Sequence, residues 1–115
     1  EIKPTFSIKL LKKLLKETSK FSKCIFTSFK HKNIYNLLKI ESNKKVGLSF
    51  SFPSNVKTII KKAKNKKIDY LILDKLFLKN KSIQDLKIKK YYYTIKKKSE
   101  FKKYSKNNNL IFENL

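Results

Sequence analysis

The residues able to do acid–base or metal chemistry are few. The carboxylates are Glu1, Glu17, Glu41, Asp69, Asp74, Asp85, Glu100 and Glu113, with one imidazole, His31, and one thiol, Cys24. A carboxylate dyad or a two-metal site needs groups that converge, and no pair stands at a spacing that would build one. Asp69 and Asp74 flank the run 70–73 and read as solvated strand ends rather than metal ligands. Serine–histidine chemistry would rest on His31 alone, which sits in "FKHKN" and reads as exposed. One cysteine allows no disulfide within the chain, and one Cys with one His makes no zinc site. Cys24, in "CIF", reads as a core residue. The single glycine, Gly47, excludes a Gly-rich phosphate loop. The sequence therefore predicts no catalytic residue, no metal, no cofactor and no small-molecule substrate, and so no enzyme.

The chemistry that the chain does carry is cationic. Lys and Arg total 30 against 8 Asp and Glu, for a formal net charge of +22, and every one of the 30 is lysine. Self-repulsion on that scale works against a compact state, and a polyanion relieves it. Nucleic acid is the commonest polyanion, bound through counterion release. Without arginine there is no bidentate fork for base edges, so contacts are expected to backbone and shape. Lys, Asn, Ile, Phe, Tyr and Leu dominate, which reads as A+T-biased coding. In "IKKYYYTIKKKSEF", residues 88–101, three tyrosines stand among lysines. Lys87, Lys89, Lys90, Lys96, Lys97 and Lys98 are the candidate phosphate contacts. Tyr91, Tyr92 and Tyr93 are the candidate stacking residues.

The elements that must position them follow from periodicity. "SIKLLKKLLKET", residues 7–18, is an amphipathic helix with Ser7 as N-cap. Residues 22–30 fit helix or strand. Residues 32–42 read as helix. "VGLSFSFP", residues 46–53, alternates like a strand and stops at Pro53. Residues 54–67 read as a helix with a lysine-rich end. Residues 68–78 read as a strand, "KNKS" as a turn, and residues 83–101 as extended chain. The tail is polar with one apolar patch, Leu110 to Phe112. No apolar run is long enough for a membrane span. The chain starts at Glu1 without Met, which fits removal of a targeting segment or a truncated chain. The 115 residues fit one domain, and the sum is an α+β fold.

From residue 65 onward the segment order resembles large-subunit ribosomal protein L twenty-two. "NKKIDYLILDKLFLKNKS" resembles that family's passage from its last long helix into the first hairpin strand. "LKIKKYYYTIKKKSEF" resembles the hairpin, with Ile95, Lys97, Lys98, Ser99 and Phe101 on the return strand. "KHKNIYNLLKIESNKK" resembles the short helix before the long one. The resemblance implies about three helices packed on a small antiparallel sheet, with an extended basic β-hairpin over residues 70–101. It implies a structural constituent of the large ribosomal subunit, near the peptide exit tunnel. Ribosomal RNA and neighbouring ribosomal proteins would be its partners. The coding bias then suggests an organelle ribosome, mitochondrial or plastid-type, and otherwise the cytoplasm. Two other readings compete: a free-standing, non-specific nucleic-acid-binding protein, and a basic protein that lies on a membrane surface through residues 7–18.

Overall fold

The computed structural model describes residues 1–113. Helix α1 (Ile8–Thr18) forms on the leucine stripe of residues 7–18, with Leu11 and Leu15 buried. Ser7 Oγ accepts from the Leu10 amide at 3.2 Å, satisfying an amide that the first turn cannot pair. The chain continues through β1 (Ile25–Ser28), α2 (His31–Ile40), β2 (Lys45–Phe50) and α3 (Val56–Ala63), then β3 (Tyr70–Asp74). Asn55 caps α3 by accepting from Thr58 N at 3.1 Å. A 3-10 turn (Lys75–Lys79) leads to a single helical turn, α4 (Lys81–Gln84), followed by β4 (Lys89–Ile95), α5 (Lys98–Tyr104) and β5 (Asn109–Phe112).

The five strands form one sheet in the order β1-β2-β3-β4-β5, and every neighbouring pair is parallel. A parallel pair cannot be joined by a tight turn and needs a crossover, which the helices between strands supply. This corrects the expected α+β class: the fold is α/β, and the antiparallel sheet does not exist. The basic hairpin over residues 70–101 is overturned with it. β3 and β4 run parallel, Leu73 lying opposite Tyr92, and residues 98–104 are helical. No Gly, Pro, Asn or Asp marks a hairpin turn in residues 88–101 because β4 runs unbroken from Lys89 to Ile95.

Alternation along each strand decides which side is dry. Phe26, Val46, Leu48, Phe50, Leu71, Leu73 and Tyr92 point to the helices and share one core with Leu11, Ile34, Leu37, Ile59, Phe77 and Ile83. Intervening residues make a second face that no helix covers. Crossovers of one hand between strands in consecutive order put every helix on the same side. Parallel sheets are ordinarily covered on both faces, and here the second face leaves Ile25 at 43%, Phe29 at 43% and Ile111 at 41% exposure. Gly47 lies on it, where an added Cβ would meet Thr27 Cγ2, Tyr70 Cβ and the Tyr70 carbonyl, each at 3.2 Å. Glycine lets β1, β2 and β3 close up there without a clash.

The segment before α1 is strapped to β1. The Ile2 amide donates to the Thr27 carbonyl at 2.8 Å, and Ser28 Oγ donates to the Ile2 carbonyl. Asn33, fully buried on α2, accepts from the Phe6 amide at 2.8 Å and donates to the Pro4 carbonyl at 2.8 Å. The strap carries Glu1 to the rim of the uncovered face. Among the described residues, no helix is long and apolar enough to cross a membrane.

Candidate functional site

The carboxyl ends of parallel strands are where α/β folds place ligand sites, because loops and helix starts converge there. At that end of the uncovered face lies a cleft of ≈ 370 Å³, within the size range of small-molecule pockets. Thr27, Ser49 and Ile72 come from β1, β2 and β3; Tyr93 and Thr94 from β4; Phe29 and Ile111 flank it, and Glu1 stands at the wall. Phe29 and Tyr93 meet edge to face with centroids 5.9 Å apart. Within the described residues, the hydroxyls of Thr27, Ser49 and Thr94 take part in no hydrogen bond; Ser49 uses only its carbonyl.

Tyr93 Oη donates to the Phe50 carbonyl at 2.8 Å, locking the ring across the rim. Burial, with the Asp74 and Glu1 carboxylates nearby, pushes its pKa up to about 12. Tyr93 is therefore a protonated donor at neutral pH, and the rim carries negative charge on its Asp74 and Glu1 side. The cations stand next along the chain: Lys30 follows Phe29, and Lys96 and Lys97 follow β4, all exposed.

His31, expected to be exposed, is half-buried at the start of α2 behind this rim. Its Nε2 lies 2.8 Å from the Ser49 carbonyl, its Nδ1 lies 2.7 Å from Lys62 Nζ, and its ring packs on Phe50. An ammonium beside Nδ1 requires that nitrogen to accept, so the proton sits on Nε2 and is donated to Ser49. Burial, and then the Lys62 charge, depress the imidazole pKa below 6.5, outweighing the Ser49 bond that raises it. The unfolded chain therefore binds more protons than the folded chain between the lowered value and about 6.5. Stability from this group is complete above about pH 6.5 and falls as the pH drops through that window. Urea midpoints should decline from pH 7 toward pH 5 in the native protein. In His31→Gln that decline should be lost; an equal slope in both proteins would refute the assignment.

The residues singled out by sequence do not gather. Tyr92 is 1% exposed, packed among the helices. Tyr91 shares the uncovered face with Tyr93 but lies nearer the amino end, its ring 5.8 Å from Tyr70. Lys89 sits over both of those rings, at 5.9 and 5.8 Å. Lys90 folds onto the Leu86 and Ile88 carbonyls, and Lys87 is exposed before β4. Lys98 begins α5 and borders a groove with Phe101 and Phe112. Only Tyr93 lines the cleft; Lys96 and Lys97 follow it in the chain and are exposed. Asp74 is tied to the Leu76 amide at 2.9 Å, and Asp69 accepts from Val46 N at 3.0 Å. Among residues 1–113, no group of three His, Cys, Asp or Glu could hold a metal ion. Cys24 is partly buried against the core.

Thr27, Phe29, Ser49, Ile72, Thr94 and Ile111 were invisible as a site. A signal existed in "VGLSFSF": apolar Val46, Leu48 and Phe50 alternate with Gly47, Ser49 and Ser51, marking a strand whose second face is not part of the core.

No protein-family model matches the chain, and no curated protein matches it. Among solved structures it is similar to a putative glycerophosphoryl diester phosphodiesterase from Silicibacter pomeroyi DSS-3. The TM-score is 0.68 at 8% identity, over 91% of this chain and 40% of that one. The chain thus spans less than half the length of the protein it matches. At that identity the likeness is one of fold alone. It removes the expected membership of the ribosomal L twenty-two family, which an all-parallel sheet does not fit, and with it the ribosomal role. It also overturns the sequence-based exclusion of an enzyme. That exclusion rested on the spacing of residues along the chain, whereas the parallel sheet brings Glu1, Thr27, Ser49, Tyr93 and Thr94 to one cleft.

Proposed function

We propose that this domain binds a phosphate ester at the carboxyl end of its sheet, as part of a phosphodiester-handling protein. The observation that carries the reading is the cleft on the uncovered face, lined by Phe29 and by Tyr93 and Thr94, which exposed Lys30, Lys96 and Lys97 follow in the chain. Phosphate needs cations and donors, and Lys30, Lys96 and Lys97 are exposed in the segments that follow Phe29 and β4, whose residues line the cleft. The fold neighbour's printed name concerns a phosphodiester, which supports the same ligand class. An RNA backbone, the partner expected from the charge, is one bearer of such a group. The lysines before β4 belong to the opposite end and take no part in this site.

The test is titration of the isotopically labelled chain with bis(4-nitrophenyl) phosphate, read by amide chemical shifts. Shifts should centre on Phe29–Lys30, Ser49 and Tyr93–Lys97. The triple variant Lys30→Gln/Lys96→Gln/Lys97→Gln should bind about tenfold more weakly, three exposed charge contacts being worth roughly 0.2–1 kcal/mol each. The native affinity should fall with salt. Shifts confined to the outer surfaces of α1 and α3, with the cleft unmoved, would sink the reading. Release of 4-nitrophenolate in the same samples reads turnover directly.

A further inference from the structure

The cleft is shaped for more than a phosphate. Its walls are aromatic and aliphatic, its floor carries hydroxyls, and its cations stand outside. We infer that the ester it takes is a nucleotide, with the base in the cleft against Phe29 and the phosphate on Lys30, Lys96 and Lys97. This rests on the phosphate-ester reading above and adds the organic half of the ligand.

Three observations carry it. The first is room: ≈ 370 Å³ opens on the uncovered face, and a nucleoside occupies less than the pocket range of about 300–1,000 Å³ allows. The second is an available π surface. Phe29 is 43% exposed although it already touches Tyr93. An exposed aromatic ring at a rim is poorly placed for core packing and well placed for a planar base. Ile72 and Ile111 offer apolar contact around it. The third is the polar set. The Thr27, Ser49 and Thr94 hydroxyls can each donate or accept, and within residues 1–113 none has a hydrogen-bond partner. Glu1 adds an acceptor at the wall. Such groups suit the mixed donors and acceptors of a base edge. A bare polyol would leave the exposed Phe29 ring unused. The Asp74 and Glu1 carboxylates act on Tyr93, so the phosphate has to be held by the lysines that follow Phe29 and β4, clear of those two groups.

Affinities of the 115-residue chain for adenosine 5′-monophosphate, glycerol 3-phosphate and inorganic phosphate, measured by calorimetry at one ionic strength, decide the matter. The nucleotide should bind about fivefold to a hundredfold more tightly than glycerol 3-phosphate, the range expected of one base–aromatic stack. Phe29→Ala should remove that advantage and leave glycerol 3-phosphate within twofold of native. Ser49→Ala, a near-isosteric change, should weaken the nucleotide several-fold and spare phosphate. Equal binding of all three ligands overturns the nucleotide assignment while the phosphate-ester reading stands. If none binds, both fall. A self-associated chain that binds nucleotide only after Phe29→Ala breaks the assembly also overturns it, since the face would then serve another copy.

Discussion

Tyr92→Ala is expected to cost about 3–5 kcal/mol of stability, the range for emptying a large aromatic site in a core. Tyr91→Ala should cost under about 1 kcal/mol, since Tyr91 lies on the uncovered face. The two residues are neighbours in sequence and of one type, so the contrast isolates the sheet. Tyr92 sits on β4, an interior strand, 1% exposed, among the residues that join strands to helices. Its ring fills space that its neighbours cannot close. Its hydroxyl has no hydrogen-bond partner among the described residues, and burial raises its pKa to about 12. Tyr92→Phe, which keeps the ring and removes that hydroxyl, should therefore be neutral or stabilising. Urea unfolding of the three variants checks all of this. Similar losses from Tyr91→Ala and Tyr92→Ala would mean that β4 does not alternate as described.

Asn33→Leu is expected to cost about 2–6 kcal/mol, since it strands the Phe6 amide and the Pro4 carbonyl at about 1–3 kcal/mol each. Leucine is close in volume, so the loss reports hydrogen bonding more than packing. Asn33 is fully buried, and it also donates to Ser28 Oγ at 3.3 Å. Ser28 in turn donates to the Ile2 carbonyl, so one side chain secures the strap at two places. The variant should also loosen residues 1–6, which carry Glu1 to the cleft. Amide exchange at Ile2 and Phe6 should accelerate more than exchange at Leu71 in β3. A uniform acceleration across the sheet would show that the strap is not a separate unit.

Local structure was legible wherever one residue's neighbours determine it. The stripe Ile8, Leu11, Leu15 with Ser7 ahead of it makes α1, and Asn55 starts α3 as an N-cap should. The alternation of Val46, Leu48 and Phe50 makes β2. Several segments misled: residues 75–78, read as strand, form a 3-10 turn, and Lys81–Gln84, read as turn and extended chain, are helical. "IKKYYYTIKKKSEF" looked like a hairpin because extended chain is the same locally whether its partner runs parallel or antiparallel. Its last four residues begin a helix, Lys98–Tyr104, that buries no residue fully and whose partners lie elsewhere in the chain, such as Phe112, whose ring meets Phe101 at 5.6 Å. His31 looked solvated between two lysines, and it is half-buried because α2 begins under Phe50.

The candidate site shows the same division. Composition alone determined the net charge, and with it the expectation of an anionic partner, because +22 on 115 residues is a property of the list of residues and not of their arrangement. Periodicity alone determined where most helices and strands lie, because turns and pleats repeat over a few residues. Strand direction, the uncovered face and the meeting of Thr27, Phe29, Ser49, Ile72, Tyr93 and Thr94 were decided only by the tertiary structure. Their cause is the pairing of segments some twenty residues apart, with helices on one side, and no local signal records which edge a strand will choose.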